Sequence, residues 1–293
     1  MEHPARLTVG VVGAGRVGAV LGAALARAGH QVTGVYAVSQ ESRARAADLL
    51  PGVPVLDVPS VVAGAELVVL AVPDDALRPL VEGLCATSAW QAGQIVVHTS
   101  GRHGVAVLEP VREHHVLPLA LHPAMTFTGT AMDLERLVEC AFGVTADEAL
   151  RPVAEALVLE MGGDPVWVAE GDRTAYHLAL AHGSNHLVTL TSEALEILTR
   201  AGVPEPARIL GPLMRAALDN ALRLGDGALT GPVARGDVGT VEHHLRELDR
   251  LSPEIRRTYV ALARATAVRA LDSGRLRAAV AEPLLDTLAD QEP

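Results

Sequence analysis

Residues Leu7 to Gly18 read LTVGVVGAGRVG. The stretch opens on a short apolar run rich in β-branched residues, Leu7 to Val12, which predicts a strand. Gly13, Gly15 and Gly18 follow at i, i+2 and i+5, and Val17, Val20, Leu21, Ala24 and Ala28 then recur at helical spacing until Gly29 stops the pattern. Each glycine of such a turn meets a different demand. Gly13 permits the tight turn, Gly15 leaves a bare backbone face that a pyrophosphate can approach, and Gly18 lets the helix pack closely on the strand. Free N–H groups at the helix N-terminus would then face the anion. A strand–turn–helix junction of small residues needs none of this, but the setting near the start of an alternating α/β chain favours a dinucleotide site.

Working outward, the chain of 293 residues is long enough for two domains, and 49% of it is apolar. Aromatic residues are only 2%, so Ala, Val and Leu must fill the core. A net charge of −11, with no basic tail, argues against a nucleic-acid partner. The sequence shows neither a signal-peptide pattern nor an apolar stretch long enough for a bilayer, which predicts a cytoplasmic protein without membrane contact. Cys85 and Cys140 lack metal or redox spacing and read as reduced thiols. All 24 basic residues are arginine, which excludes any mechanism that needs a lysine.

The apolar runs continue with strands predicted at Gln31 to Tyr36, Val53 to Leu56, Glu66 to Val72, Gln94 to Thr99, Val116 to Leu121, Cys140 to Val144 and Pro165 to Ala169. Helical stretches alternate with most of them. One starts after Pro73, with Asp74 or Asp75 as its cap, and runs to about Ala86. Beyond Glu170 only helices are expected, over Thr174 to Ala201, Pro206 to Leu224, Val238 to Leu248 and Pro253 to Leu271. The predicted architecture is α/β: an N-terminal doubly wound, mostly parallel sheet over residues 1–169 and an all-helical domain over 170–293.

The end of the second strand bears on the cofactor. An NAD-preferring site usually carries an acid there for the ribose 2′-hydroxyl, but this chain has Ala37-Val38. Ser39, Ser42 and Arg43 follow, and their hydroxyls and guanidinium suit a 2′-phosphate. NADP is therefore expected over NAD. Ser39 also reads as an ordinary N-cap, with Arg43 and Arg45 on the solvated face of its helix.

Several further stretches carry a resemblance. They are VPDDAL at Val72 to Leu77, VVHTSG at Val96 to Gly101, LHPAMTF at Leu121 to Phe127, the Tyr176-His177 to Ser184-Asn185 helix, and LTGPVARGD at Leu229 to Asp237. With these marks the chain resembles uncharacterised Rossmann-like proteins that carry a C-terminal helical domain of unknown function. That group is similar to the pyrroline-5-carboxylate reductase and 6-phosphogluconate dehydrogenase superfamily. The resemblance implies a dinucleotide-dependent oxidoreductase that dimerises through its C-terminal helices, with Val72 and Pro73 along the nicotinamide. The N-terminal half also resembles deazaflavin-dependent NADP oxidoreductases. Two departures matter. Asn185-His186 stands where pyrroline-5-carboxylate reductases have Gly-Pro, and Ala181 stands where β-hydroxyacid dehydrogenases have a catalytic lysine four residues before an asparagine.

Ligands of a doubly wound sheet bind beyond the carboxyl ends of its strands. His122, ending a strand there, is the first candidate for proton transfer, because imidazole titrates in the useful range and Pro123 restrains it. Ser100 is the second, as a hydroxyl donor or a cofactor contact, although a serine there also serves as an ordinary turn or helix-cap residue. On the long helix His177, Ala181, Ser184 and Asn185 share one face, which adds His177 and Asn185 to the catalytic candidates. The expected cofactor contacts are Gly13, Gly15, Arg16, Val17, Gly18, Ser39, Arg43, Val72, Pro73 and Thr99. Arg235 is a further candidate, for a substrate carboxylate. His182 and His186 lie one helical turn apart without an acidic third ligand, so no metal site is expected. The sequence thus points to an NADP-dependent oxidoreductase acting on a small carboxylated carbonyl or imine compound. The alternatives are a dinucleotide sensor without turnover and a deazaflavin:NADP oxidoreductase.

Overall fold

The computed structural model describes residues 6–138 and 140–289. The chain divides into two compact units, residues 1–183 and 184–293.

In the first unit a seven-stranded sheet has the order β2-β1-β3-β4-β5-β6-β7. Its strands are β1 (Thr8–Val12), β2 (Gln31–Tyr36), β3 (Leu67–Leu70), β4 (Ile95–His98), β5 (Leu117–Pro123), β6 (Ala141–Thr145) and β7 (Asp164–Trp167). Strands β1 to β5 pair in parallel, β6 runs antiparallel to β5, and β7 is parallel to β6. The continuous apolar run of β3 is explained by burial on both faces. Leu67 and Val69 enter one core cluster with Val11, Leu21 and Val97, while Val68 and Leu70 enter a second with Val62, Leu77 and Val96. Helices α1 (Arg16–Arg27), α2 (Gln40–Leu49), α3 (Val58–Ala63), α4 (Asp74–Ala86), α5 (Met132–Arg136) and α6 (Arg151–Glu160) connect the strands.

Three sequence expectations change here. Val53 to Leu56 is not a strand but a single bridge between Val55 and Val35, because Pro54 has no N–H to extend a ladder at the sheet edge. Pro73, not an aspartate, stands at the N-cap of α4. Asp74 and Asp75 occupy its first turn, where carboxylates favour the positive end of the helix. Val105–His114, taken for no element in the sequence, winds as a 3₁₀ helix.

The helical stretch after β7 starts as α7 (Arg173–Arg200) and continues in the second unit with α8 (Pro206–Leu224), α9 (Gly231–Arg235), α10 (Val238–Leu251), α11 (Pro253–Asp272) and α12 (Ala278–Ala289). The short α9 and the C-terminal α12 were not read from the sequence. Their apolar residues join Val241, Leu245, Ala267 and Ala270 in a separate core, in which Leu284 and Leu288 are fully buried. No residue of α8 is buried, although Ile209, Leu213, Leu218 and Leu222 lie on it. Among the described residues no helix is long and apolar enough to cross a membrane.

Candidate active site

The turns after β1, β3, β4 and β5 lie at one edge, since these strands are parallel neighbours. At the first, Gly13 takes φ +101°, and a Cβ there would stand 2.5 Å from the Ala71 carbonyl oxygen. A Cβ on Gly18 would stand 2.1 Å from the carbonyl oxygen of Gly13. Above Gly15 there is open space within 4 Å, and no side chain caps the N-terminus of α1 there. The first turn of α1 therefore presents free N–H groups beside an uncrowded backbone, the form an anion site takes. Arg16 is exposed and Val17 half-buried on that turn.

Beyond β2, Ser39 is the N-cap of α2, and its Oγ accepts the Ser42 N–H at 3.1 Å. Arg43 is exposed, with Nε donating to the Ala37 carbonyl at 3.4 Å. Arg45 Nη1 donates to the Ala14 carbonyl at 3.4 Å, which brings a second guanidinium to the glycine turn. The sequence had assigned Arg45 only to the solvated face of its helix.

At the ends of β4 and β5 the side chains are interlocked. His98 is buried, its Nδ1 accepting the Ser100 N–H at 3.2 Å and its Nε2 donating to the Gly104 carbonyl at 2.8 Å. Burial opposes its charge and outweighs the hydrogen bond to the Gly104 carbonyl, so its pKa falls to about 4. His98 therefore shapes the turn rather than reacting. Ser100 is buried and its Oγ accepts the His103 N–H at 3.2 Å, so it serves the same turn. Thr99 is half-buried, Val72 is half-buried and Pro73 exposed at the adjacent turn. Asp74 lies 3.6 Å from Arg102 Nε.

His122 is the penultimate residue of β5, paired with Gly143. Its Nδ1 is 2.9 Å from the Tyr176 hydroxyl, and the rings meet edge to face at 5.6 Å. His177 approaches the same imidazole edge to face at 6.2 Å. Gly101 makes this possible: a Cβ there would lie 2.6 Å from His177 Cδ2 and 2.9 Å from His122 Nε2. Burial, then the positive charge of Arg173, lowers the His122 pKa to about 4, so the imidazole is neutral at physiological pH. A phenol O–H donating to Nδ1 places the ring proton on Nε2.

Two residues here were not assigned a role in the sequence. Tyr176 was noted only as part of a motif, and Arg173 not at all. The signal was a Tyr-His pair one turn into a helix that follows Gly171-Asp172. Asn185 is exposed in the second unit, where the Ser184 hydroxyl donates to its side-chain oxygen at 3.2 Å. Arg235 ends α9, and the neighbouring Asp237 caps α10 by accepting the Thr240 N–H at 3.1 Å.

Comparison with known proteins agrees with this architecture. Residues 2–123 match the Rossmann-like domain, and residues 140–266 match a domain of unknown function, DUF2520. No curated protein matches the chain in sequence. Among solved structures it is similar to a Bacteroides fragilis protein assigned as an NADP oxidoreductase (TM-score 0.76, 24% identity, 89% of this chain and 98% of that one). It is also similar to an imine reductase of Myxococcus stipitatus in complex with NADP+ (TM-score 0.64, 20% identity, 95% and 99% covered). A third is 3-hydroxyisobutyrate dehydrogenase of Mycobacterium tuberculosis (TM-score 0.53, 19% identity, 98% and 94% covered). At these identities the likeness is one of fold.

Proposed function

We propose that the protein is an NADP-dependent oxidoreductase that reduces, or in reverse oxidises, a small carboxylated carbonyl or imine compound. The observation that carries this reading is the shared edge of the parallel sheet, with an uncapped glycine turn after β1 and a histidine–tyrosine pair beside β5. Two of the proteins with this fold are described with NADP in their names, one of them an imine reductase.

Gly13, Gly15 and Gly18 would let the pyrophosphate sit on the N-terminus of α1, with Arg16 and Val17 beside it. Ser39, Arg43 and also Arg45 fit a 2′-phosphate, and Val72, Pro73 and Thr99 fit the nicotinamide side. The reduced nicotinamide, when bound, supplies hydride. His122 would donate its Nε2 proton to the developing anion on the substrate oxygen or nitrogen, with His177 and Ser100 bordering it. Asn185 remains a candidate for orienting the substrate.

The test is calorimetric binding of NADPH and NADH, followed by NADPH consumption across small keto and imino acids. NADPH is expected to bind more tightly, and the S39A/R43A double variant to weaken it far more than NADH. Equal loss for both would refute the NADP assignment. Binding without consumption across the panel would identify a dinucleotide sensor instead, a reading that the absent lysine and Ala181 favour.

The second unit is proposed to form a homodimer. Leu187, Val188 and Leu190 on α7 and Ile209, Leu213 and Leu222 on α8 are exposed, more apolar surface than a solvated helix pair needs.

A further inference from the structure

We propose that Arg173 is a positioning residue whose buried guanidinium readies Tyr176 to pass its phenolic proton to His122 Nδ1, so that a proton leaving Nε2 is replaced from within the fold. The inference rests on the reading of this site as a hydride-transfer centre, which it deepens.

Arg173 is 1% exposed, on the first turn of α7. Its Nε donates to Thr145 Oγ1 at 2.7 Å, and its Nη2 donates to the carbonyl oxygens of Ala120 and Gly143, both at 3.1 Å. Nη1 has no hydrogen-bond partner among the described residues. Among the described residues no carboxylate lies within ion-pair distance of the guanidinium, and Glu170 acts on it only through its field. Glu170, three residues earlier, accepts the N–H groups of Val105 and Ala106 at 2.7 and 3.3 Å instead. A buried cation whose direct hydrogen-bond partners are all neutral is costly, and the cost falls when an anion forms beside it.

The group placed to become that anion is Tyr176. The Arg173 Cζ lies 5.9 Å from its ring centroid, and its hydroxyl touches His122 Nδ1. Burial raises the Tyr176 pKa, while Arg173 and the Gly143 backbone pull it back down. The other groups facing the pair are His177 on α7, Asp74 on α4 and Cys140 before β6. Gly143 has a specific part, because a Cβ there would lie 2.5 Å from the Tyr176 oxygen.

The step balances as follows. Hydride adds to the substrate carbon and the C=O or C=N π pair moves to the heteroatom. That atom takes the Nε2 proton as Nδ1 takes the Tyr176 proton, which leaves a phenolate beside Arg173; the site resets when water protonates Nε2 and the Nδ1 proton returns to the phenolate.

The test needs no substrate. Tyrosine ionisation is followed by phenolate absorbance in the wild type and in R173Q and R173K. Y176F identifies which of the three tyrosines is Tyr176. His122 is followed by NMR of the labelled imidazole. R173Q is expected to raise the Tyr176 ionisation by about one pH unit or more and to let His122 protonate nearer the ordinary value. R173K is expected to keep both near wild type. T145V, which removes the Nε acceptor but not the charge, is expected to move the Tyr176 ionisation in the same direction by less, and it decides the matter if R173Q does not fold. A purely structural arginine predicts the opposite: folded variants that lose stability with both titrations unchanged, and that result overturns the proposal. Failure of the oxidoreductase reading would show separately, as no NADPH consumption while the titrations still shift.

Discussion

A methyl group added at Gly101 would crowd His177 and His122 together, and His122 cannot retreat without leaving the Tyr176 hydroxyl. G101A is therefore expected to displace both imidazoles by a few tenths of an ångström or more. Turnover should fall by about a hundredfold, with NADPH affinity unchanged. Steady-state kinetics alongside calorimetric binding checks this, and an unaltered rate would remove His122 from the reacting centre. This residue was legible in the sequence only as half of a Ser-Gly turn. That a glycine there serves two histidines from different elements follows from β4, β5 and α7 converging, and no local pattern encodes it.

Among the elements, the loop between β5 and α5 is held by one carboxylate. Asp133 is fully buried and accepts the N–H groups of Thr128 and Gly129 at 2.8 and 2.7 Å and the Thr128 hydroxyl at 3.0 Å. Burial alone would raise its pKa, but these hydrogen bonds hold it below the ordinary carboxylate value. D133N replaces an acceptor by a donor facing those N–H groups and should cost about 2–3 kcal/mol, read by urea denaturation. Loss of less than a few tenths would mean that the loop is held by other contacts. Helix α2 offers a contrast. S39A should cost about 1 kcal/mol as a lost N-cap, so a larger effect on NADPH binding than on stability is what separates a phosphate contact from a cap. The sequence allowed both roles for Ser39, and the structure shows the cap. The elements themselves were largely readable, because buried parallel strands are continuous apolar runs and α1 carries a clear period. The antiparallel turn of β6 was not readable, since pairing direction depends on how the chain returns, not on composition.

For the molecule as a whole, two neutral imidazoles set the acid limb of stability. His98 and His122 are pushed down to about 4, whereas in the unfolded chain they protonate near 6.5. The unfolded state therefore binds more protons between those values, and stability present above pH 6.5 is lost as pH falls towards 4. The loss should reach on the order of 2 kcal/mol for each imidazole by about pH 5. Denaturation midpoints measured at stepped pH check this, and a flat profile down to pH 5 would show that neither imidazole is held neutral. The second unit yields a separate prediction. If α8 is covered by a second copy, sedimentation should give a dimer, and L213E/L222E should shift it to monomer. A wild-type monomer at micromolar concentration would refute that arrangement.

Local chemistry written along the chain was enough for the glycine turn, the alternation of strands and helices, and the break to an all-helical region, because each depends on residues a few positions apart. The pairing of His122 with Tyr176, the burial of Arg173 on neutral hydrogen-bond partners, and the clearance at Gly101 join residues up to 76 positions apart. Only the closing of α7 onto the end of β5 brings them within hydrogen-bond reach. Distance and desolvation, which set what these side chains can do with a proton, are properties of that packing and not of the residue types alone.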